Sequence, residues 1–255
     1  MGDDHGKEAC EMKKGDIVTG MVRKVAFPNK GKVLVTTEDG SEIFVRVKNV
    51  LPFQTVRLQI KKMHHGDPEG IVLEVIKQSP TECTPDCVHY PACGGCSLRN
   101  LPYTEQIRFK EEQVKELLTP ILQEGGIRLE SIYEGIFESP EVFGYRNKME
   151  YSFGDEIKDG PLTLGLHKRG SMYDVLETTD CRIVDEDYRK ILAFTQDFFA
   201  GRGISYYHRV RHTGYLRHLL VRKSKKYGEI LVALVTSSAE NGTDTIPEEK
   251  GLLSE

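Results

Sequence analysis

In the stretch Glu42-Ile43-Phe44-Val45-Arg46-Val47-Lys48, Ile43, Val45 and Val47 fall on one face at a period of two, and Glu42, Arg46 and Lys48 fall on the other with Phe44. Further runs lie around it, at about Asp16–Val25, Lys32–Thr37, Thr55–Lys61 and Gly70–Ile76. Turn chemistry separates them: Pro28-Asn29-Lys30-Gly31, Glu38-Asp39-Gly40-Ser41 and Asp67-Pro68-Glu69-Gly70 are rich in residues that accept tight-turn dihedrals. Five strands without an intervening helix suit a small closed barrel, because closure removes the exposed edges of a flat sheet. The expectation is an OB-like five-stranded barrel over residues 13–78, preceded by a flexible segment, 1–12. Lys24, Lys30, Lys32, Arg46, Lys48 and Arg57 decorate it, as phosphate contacts or as ordinary solvated charges.

Beyond Gln78-Ser79-Pro80 cysteines appear, followed by helical periodicity. Asn100 is read as a cap with Pro102 in the first turn, and Tyr103, Ile107, Val114, Leu117 and Leu118 share one face up to Gly125-Gly126. A second helix follows Asp185, with Tyr188, Ile191, Leu192, Thr195 and Phe198 on its stripe and Gly201 past its end. Tyr145–Phe153, Leu162–His167, Met172–Glu177, Leu216–Arg222 and Glu229–Val235 read as strands. Residues 79–238 are therefore expected to form an α+β domain with a mostly antiparallel sheet, and the polar stretch 239–255 a disordered tail.

The net charge of −4 argues against a uniformly nucleic-acid-binding surface, but the charge is unevenly placed. Between Arg202 and Lys226 lie Arg209, Arg211, Arg217, Arg222, Lys223 and Lys225 without an acidic residue among them. Tyr206, Tyr207, Tyr215 and Tyr227 are interleaved, and aromatic faces stack unpaired bases while guanidinium groups hold phosphates. The alternative is an exposed hairpin surface. Arg146 and Lys148 stand equally between RNA contact and the polar side of a strand. His167, His208, His212 and His218 lack a second ligand at a telling spacing and read as surface or packed histidines.

Of the six cysteines, three form a compact run: Cys87, five residues, Cys93, two residues, Cys96. Cys181 is a distant fourth. Gly94-Gly95 lets the backbone fold tightly and leaves N–H groups for cluster sulfides. Four thiolates suit a [4Fe–4S] cube, one per iron. A zinc site is the rival, although it usually pairs two Cys-x-x-Cys knuckles where this chain has one. Disulfides are disfavoured by the want of an export signal, and unliganded buried thiols are a further alternative. Cys83 could replace Cys87 as a ligand, but its longer gap to Cys93 disfavours that; His89 reads as supporting the cluster loop, and Cys10 as an exposed thiol without a role. With no apolar leader and no membrane-length span, a cytoplasmic location is expected, with RNA and neither a membrane nor DNA as partner.

The run Cys87-Val-His-Tyr-Pro-Ala-Cys93-Gly-Gly-Cys96, followed by Leu101-Pro-Tyr103-Thr-Glu-Gln106, resembles the signature of bacterial RNA uridine-5-methyltransferases that carry an N-terminal TRAM domain. Tyr145-Arg146-Asn147-Lys148-Met149-Glu150-Tyr151-Ser152-Phe153 and Leu164-Gly165-Leu166-His167 extend the likeness over about residues 13–238. The resemblance implies a TRAM barrel that binds RNA and a cluster held by Cys87, Cys93, Cys96 and Cys181. It also implies S-adenosylmethionine-dependent methylation of uridine C5 in ribosomal or transfer RNA through a cysteine adduct at C6. The family's catalytic and S-adenosylmethionine-binding residues belong to a C-terminal Rossmann-like domain, which this chain is expected to lack. Gly201-Arg202-Gly203 misses the third glycine of a dinucleotide loop and follows a helix. No catalytic residue is assigned, and the chain alone is expected to be inactive. A stand-alone RNA-binding protein with an iron–sulfur or zinc site is the alternative. The RNA contacts expected are Lys32, Arg46, Arg209, Arg211, Arg217, Arg222 and Lys223.

Overall fold

The computed structural model describes residues 12–64 and 67–237. The expected tail, residues 1–11 and Cys10 lie outside the described residues. Met12, read as part of a flexible segment, is buried at 7% exposure. Two compact units divide the chain, one within Met1–Thr84 and Asn100–Glu138, the other within Pro85–Arg99 and Ser139–Glu255.

The first unit is built on β1 (Ile17–Ala26), β2 (Lys30–Thr36), β3 (Glu42–Lys48), β4 (Thr55–His64) and β5 (Asp67–Lys77). They close as a barrel in the order β1-β2-β3-β5-β4, with β1 antiparallel to β4 and β3 parallel to β5. Val33, Val45, Val56, Leu58 and Ile60 are wholly buried in its interior. Burying each such side chain is worth about 1.5–3 kcal/mol, and β-branched residues suit the pleated wall. The turn read at Asp67–Gly70 is instead the start of β5, since Asp67 pairs with His64 and Gly70 with Ile60.

Helix α1 (Tyr103–Glu124) belongs with the barrel, whereas the sequence reading placed it in the second domain. Gln113 Nε2 donates to Val25 O at 3.1 Å, and Lys24 pairs with Glu116 at 2.9 Å. Asn100 is not its cap: Pro102 holds that position without a side-chain bond, and Asn100 Nδ2 donates to Glu82 Oε1 at 2.7 Å. Only Phe109 and Gln113 are buried on α1, while Val114, Leu117 and Leu118 stay substantially exposed. Periodicity located the helix but misjudged what it buries.

The second unit contains β6 (Lys148–Gly154), β7 (Thr163–His167), β8 (Val175–Glu177), α2 (Glu186–Ala200), β9 (Leu216–Lys223) and β10 (Ile230–Thr236). Its sheet runs β10-β9-β6-β7-β8, with every neighbouring pair antiparallel. Tyr151, Leu164, Leu192, Leu216 and Val221 are wholly buried in one core with Tyr188 and Phe199. On α2 it is Phe199, edge-on to Phe153 at 5.6 Å between ring centres, that is buried instead of Phe198. Asp185 caps α2 by accepting from Asp187 N at 3.1 Å. Two strands are shorter than expected. Residues before Lys148 pair elsewhere, with Gly144 N donating to Arg182 O and Arg146 N to Ile183 O. Met172 and Tyr173 lie exposed in a turn where Ser171 Oγ accepts from Tyr173 N and Asp174 N.

Candidate metal centre and nucleic-acid interface

The Cys87–Cys96 loop is stitched to the end of β7. Gly94 N donates to His167 O at 3.0 Å, Arg169 N to Ala92 O at 2.7 Å and Cys93 N to His89 O at 2.8 Å. The Arg169 guanidinium gathers the loop's carbonyls, donating to Pro91 O at 2.9 Å, Cys93 O at 3.1 Å and Cys96 O. A side chain at Gly94 would bring its Cβ to 3.1 Å from His167 O, a tight approach to which the end of β7 would have to yield. The two N–H groups expected to be free are both used, because Gly95 N donates to Cys93 Sγ at 3.3 Å.

Cys181, 7% exposed, arrives from the segment after β8, where its N–H donates to Thr178 O at 3.1 Å. Cys87, Cys93, Cys96 and Cys181 all line one pocket of about 420 Å³, counting the solvent at its mouth. Cys83 is not part of that lining and donates its N–H to Asn100 O in the barrel unit. Burial pushes the Cys93 and Cys181 thiols up, and that of Cys96 up to about 11. Arg169 beside Cys93 and Arg99 beside Cys96 act the other way. Two buried polar atoms on the wall, His89 Nε2 and Thr178 Oγ1, have no hydrogen-bond partner. Arg99 and Arg182 also line the pocket, each over the Phe143 ring and each paired with Asp86, at 2.7 and 3.6 Å.

Among the described residues, no group of three or more His, Cys, Asp or Glu closes tightly enough to hold a metal ion. Tetrahedral zinc would draw four sulfurs to about 2.3 Å from one point. The geometry expected of metal ligands is thus not present as such. What the fold supplies is a pocket with four thiols on its walls, and orphaned polar atoms and arginines beside them.

The expected RNA contacts divide. In the barrel, Lys32 is exposed and faces Arg46 across β2 and β3. Arg46 is engaged by Glu69 at 3.4 Å and Asp67 at 3.9 Å. In the second unit Arg209, Arg211, Arg217 and Arg222 are exposed. Lys223 is not a free cation, because its ammonium holds Asp185 at 2.8 Å and Asp187. Arg209 and Arg217 line a second pocket with Ser152, His167, Tyr207 and His218. The sequence listed most of these residues separately, but nothing in their spacing joined them. His167 and His218, read as packed or surface rings, face a shared cavity because β6, β7 and β9 are sheet neighbours.

No protein-family model matches the chain. It is 39% identical over 227 residues to an uncharacterized RNA methyltransferase of Caldanaerobacter subterraneus, covering 89% of this chain and 48% of the relative. A second such protein, from Clostridium acetobutylicum, is 38% identical over the same shares of the two chains. Among solved structures, Pyrococcus abyssi tRNA (uracil-54, C5)-methyltransferase in complex with S-adenosyl-L-homocysteine matches with a TM-score of 0.58 at 21% identity. That match covers 87% of this chain and 46% of the archaeal one. No helix among the described residues is long and apolar enough to cross a membrane. The chain spans about half the length of the curated relatives it matches; its homologues are named as RNA methyltransferases, and it shares its fold with part of a tRNA methyltransferase.

Proposed function

We propose that the chain is the RNA-binding and iron–sulfur portion of a cytoplasmic, S-adenosylmethionine-dependent RNA methyltransferase that forms 5-methyluridine in ribosomal or transfer RNA. The observation that carries the reading is the meeting of Cys181 with Cys87, Cys93 and Cys96 on one pocket wall. Four soft sulfur donors, one per iron, suit a [4Fe–4S] group better than a single ion that needs all four at one point. Its sulfides and thiolates would accept hydrogen bonds from Thr178 Oγ1 and from His89 Nε2 in its N–H form, and Arg99, Arg169 and Arg182 offset its negative charge. When bound, the group supplies a cross-link between the loop before α1 and the segment before α2. The protein's own residues position RNA: Lys32 on the barrel, and Arg209, Arg211, Arg217 and Arg222 on the second unit, serve as phosphate contacts. Arg46 and Lys223 are left out because their charges are already paired. The homologues' names support the methyltransferase assignment, and the archaeal enzyme's bound S-adenosyl-L-homocysteine supports the cofactor. Transfer of the methyl group belongs to the whole protein.

The chain purified without oxygen is expected to be brown and to carry iron and acid-labile sulfide in equal amounts. Cys181→Ser should lose both, and Cys83→Ser should retain them. Colourless protein with one zinc per chain, or full iron in Cys181→Ser, overturns the reading.

A further inference from the structure

The second pocket is a shallow cleft with about 530 Å³ of space, most of it open solvent at its mouth, so a ligand there would lie across its lining instead of being enclosed. Its walls are ordered by contacts within the second unit. Tyr206 Oη donates to Asp155 Oδ2 at 2.8 Å, and the Tyr206 ring lies against His208 with 6.5 Å between ring centres. The Arg217 guanidinium stands 4.7 Å over the Tyr207 ring. Backbone bonds fix this segment, from Tyr207 N to Leu216 O and from His208 N to Thr213 O, both at 2.7 Å. Gly214, at φ +103°, permits the close approach, since a Cβ there would lie 2.0 Å from Tyr206 O.

The pocket also has a polar side. Ser152 Oγ and His218 Nδ1 are 3.3 Å apart, and His167 Nδ1 is buried without a hydrogen-bond partner. Burial holds His218 below the ordinary imidazole range, so at neutral pH it is an uncharged ring. The carboxylate in the lining, Asp155, is taken up by Tyr206 and by Asp159 N. What remains for a ligand is an aromatic face, two exposed guanidinium groups and a short row of neutral donors and acceptors. An unpaired nucleotide presents the matching chemistry: a flat π-face, polar base edges and a phosphate.

We propose that this pocket receives one unpaired nucleotide of single-stranded RNA, its base against Tyr207 and the Ser152–His218 pair, a flanking phosphate on Arg209 and Arg217. The inference rests on the reading of the chain as an RNA-binding part of a methyltransferase. It adds a base-holding site to the backbone contacts.

Fluorescence anisotropy with a labelled single-stranded RNA of mixed sequence, and with the corresponding duplex, tests it on the full chain. Tyr207→Ala should weaken single-strand binding about tenfold and leave duplex binding nearly unchanged, Arg217→Ala should weaken single-strand binding about tenfold and duplex binding less, and Tyr207→Phe should bind like the parent. Thermal melting checks that each variant folds; should Tyr207→Ala fail, Arg217→Ala, altered at an exposed side chain, decides. If both variants bind the single strand like the parent while Lys32→Ala loses it, the pocket is no RNA site and the wider reading stands. Equal loss for single strand and duplex removes the base from the proposal. Absence of RNA binding by the parent chain overturns both.

Discussion

Lys223 illustrates how a charge that looks available can be committed. It lies in an acid-free stripe, yet its ammonium meets Asp185 and Asp187, and Asp185 is the N-cap of α2. Hydrogen bonds to Asp185 and Asp187 raise the Lys223 pKa. Burial pushes Asp185 up, but the hydrogen bond and charge of Lys223 prevail and leave it below the usual carboxylate range. The lowered Asp185 contributes stability that is present above its unfolded value, about 3.9, and is lost as pH falls through its folded value. The raised Lys223 contributes stability present below about 10.4 and lost as pH rises through its folded value. Melting temperature against pH should therefore show a plateau between these limits. Lys223→Met should lower the plateau and flatten its acid and alkaline declines, because the shifts of Asp185 and Lys223 that produce them are lost, without weakening RNA binding. Asp185→Ala should cost about 1 kcal/mol through the lost cap, read as a lower urea midpoint. The lysine was legible in the sequence, but its partners were not. They belong to a helix start far along the chain, and only the fold brings them to the end of β9.

Strands were the most legible elements, because alternation in Ile43–Lys48 and its counterparts records the two faces of a sheet directly. Helix burial was less so: α1 carries an apolar stripe, but its own unit covers only part of it. β10 poses a related problem. Among the described residues it is an edge strand of its sheet, and Ile230, Leu231 and Val232 are 41%, 54% and 49% exposed, on both faces. An apolar edge with free backbone groups is a template for pairing with another chain. Val232→Lys should reduce self-association in light scattering as concentration rises. The melting temperature should hold, since an exposed substitution usually changes stability by less than about 0.5 kcal/mol. Unchanged scattering would show that β10 is not the adhesive edge.

At the scale of the molecule, the two units have separate interiors, so damage to one should be confined. Leu58 is wholly buried in the barrel, and Leu58→Ala should cost about 2–5 kcal/mol. Differential scanning calorimetry should show that variant's barrel transition falling while the other holds. On the proposed iron–sulfur reading, a chelator should do the reverse, because all four pocket thiols belong to the second unit. A single transition displaced by both treatments would refute separate behaviour. This partition was only partly legible. The composition change near residue 80 is real, but the chain enters the second unit at Pro85, returns at Asn100 to lay α1 on the barrel, and leaves again at Ser139. Sequence order hides such a detour because folding energy rewards proximity in space.

The detour also sets a timetable for synthesis. A ribosome delivers Cys87, Cys93 and Cys96 early, and Cys181 only after β6, β7 and β8 have been made. Until then the nascent polypeptide displays three of the four pocket thiols, and any group that needs all four must wait for translation to catch up.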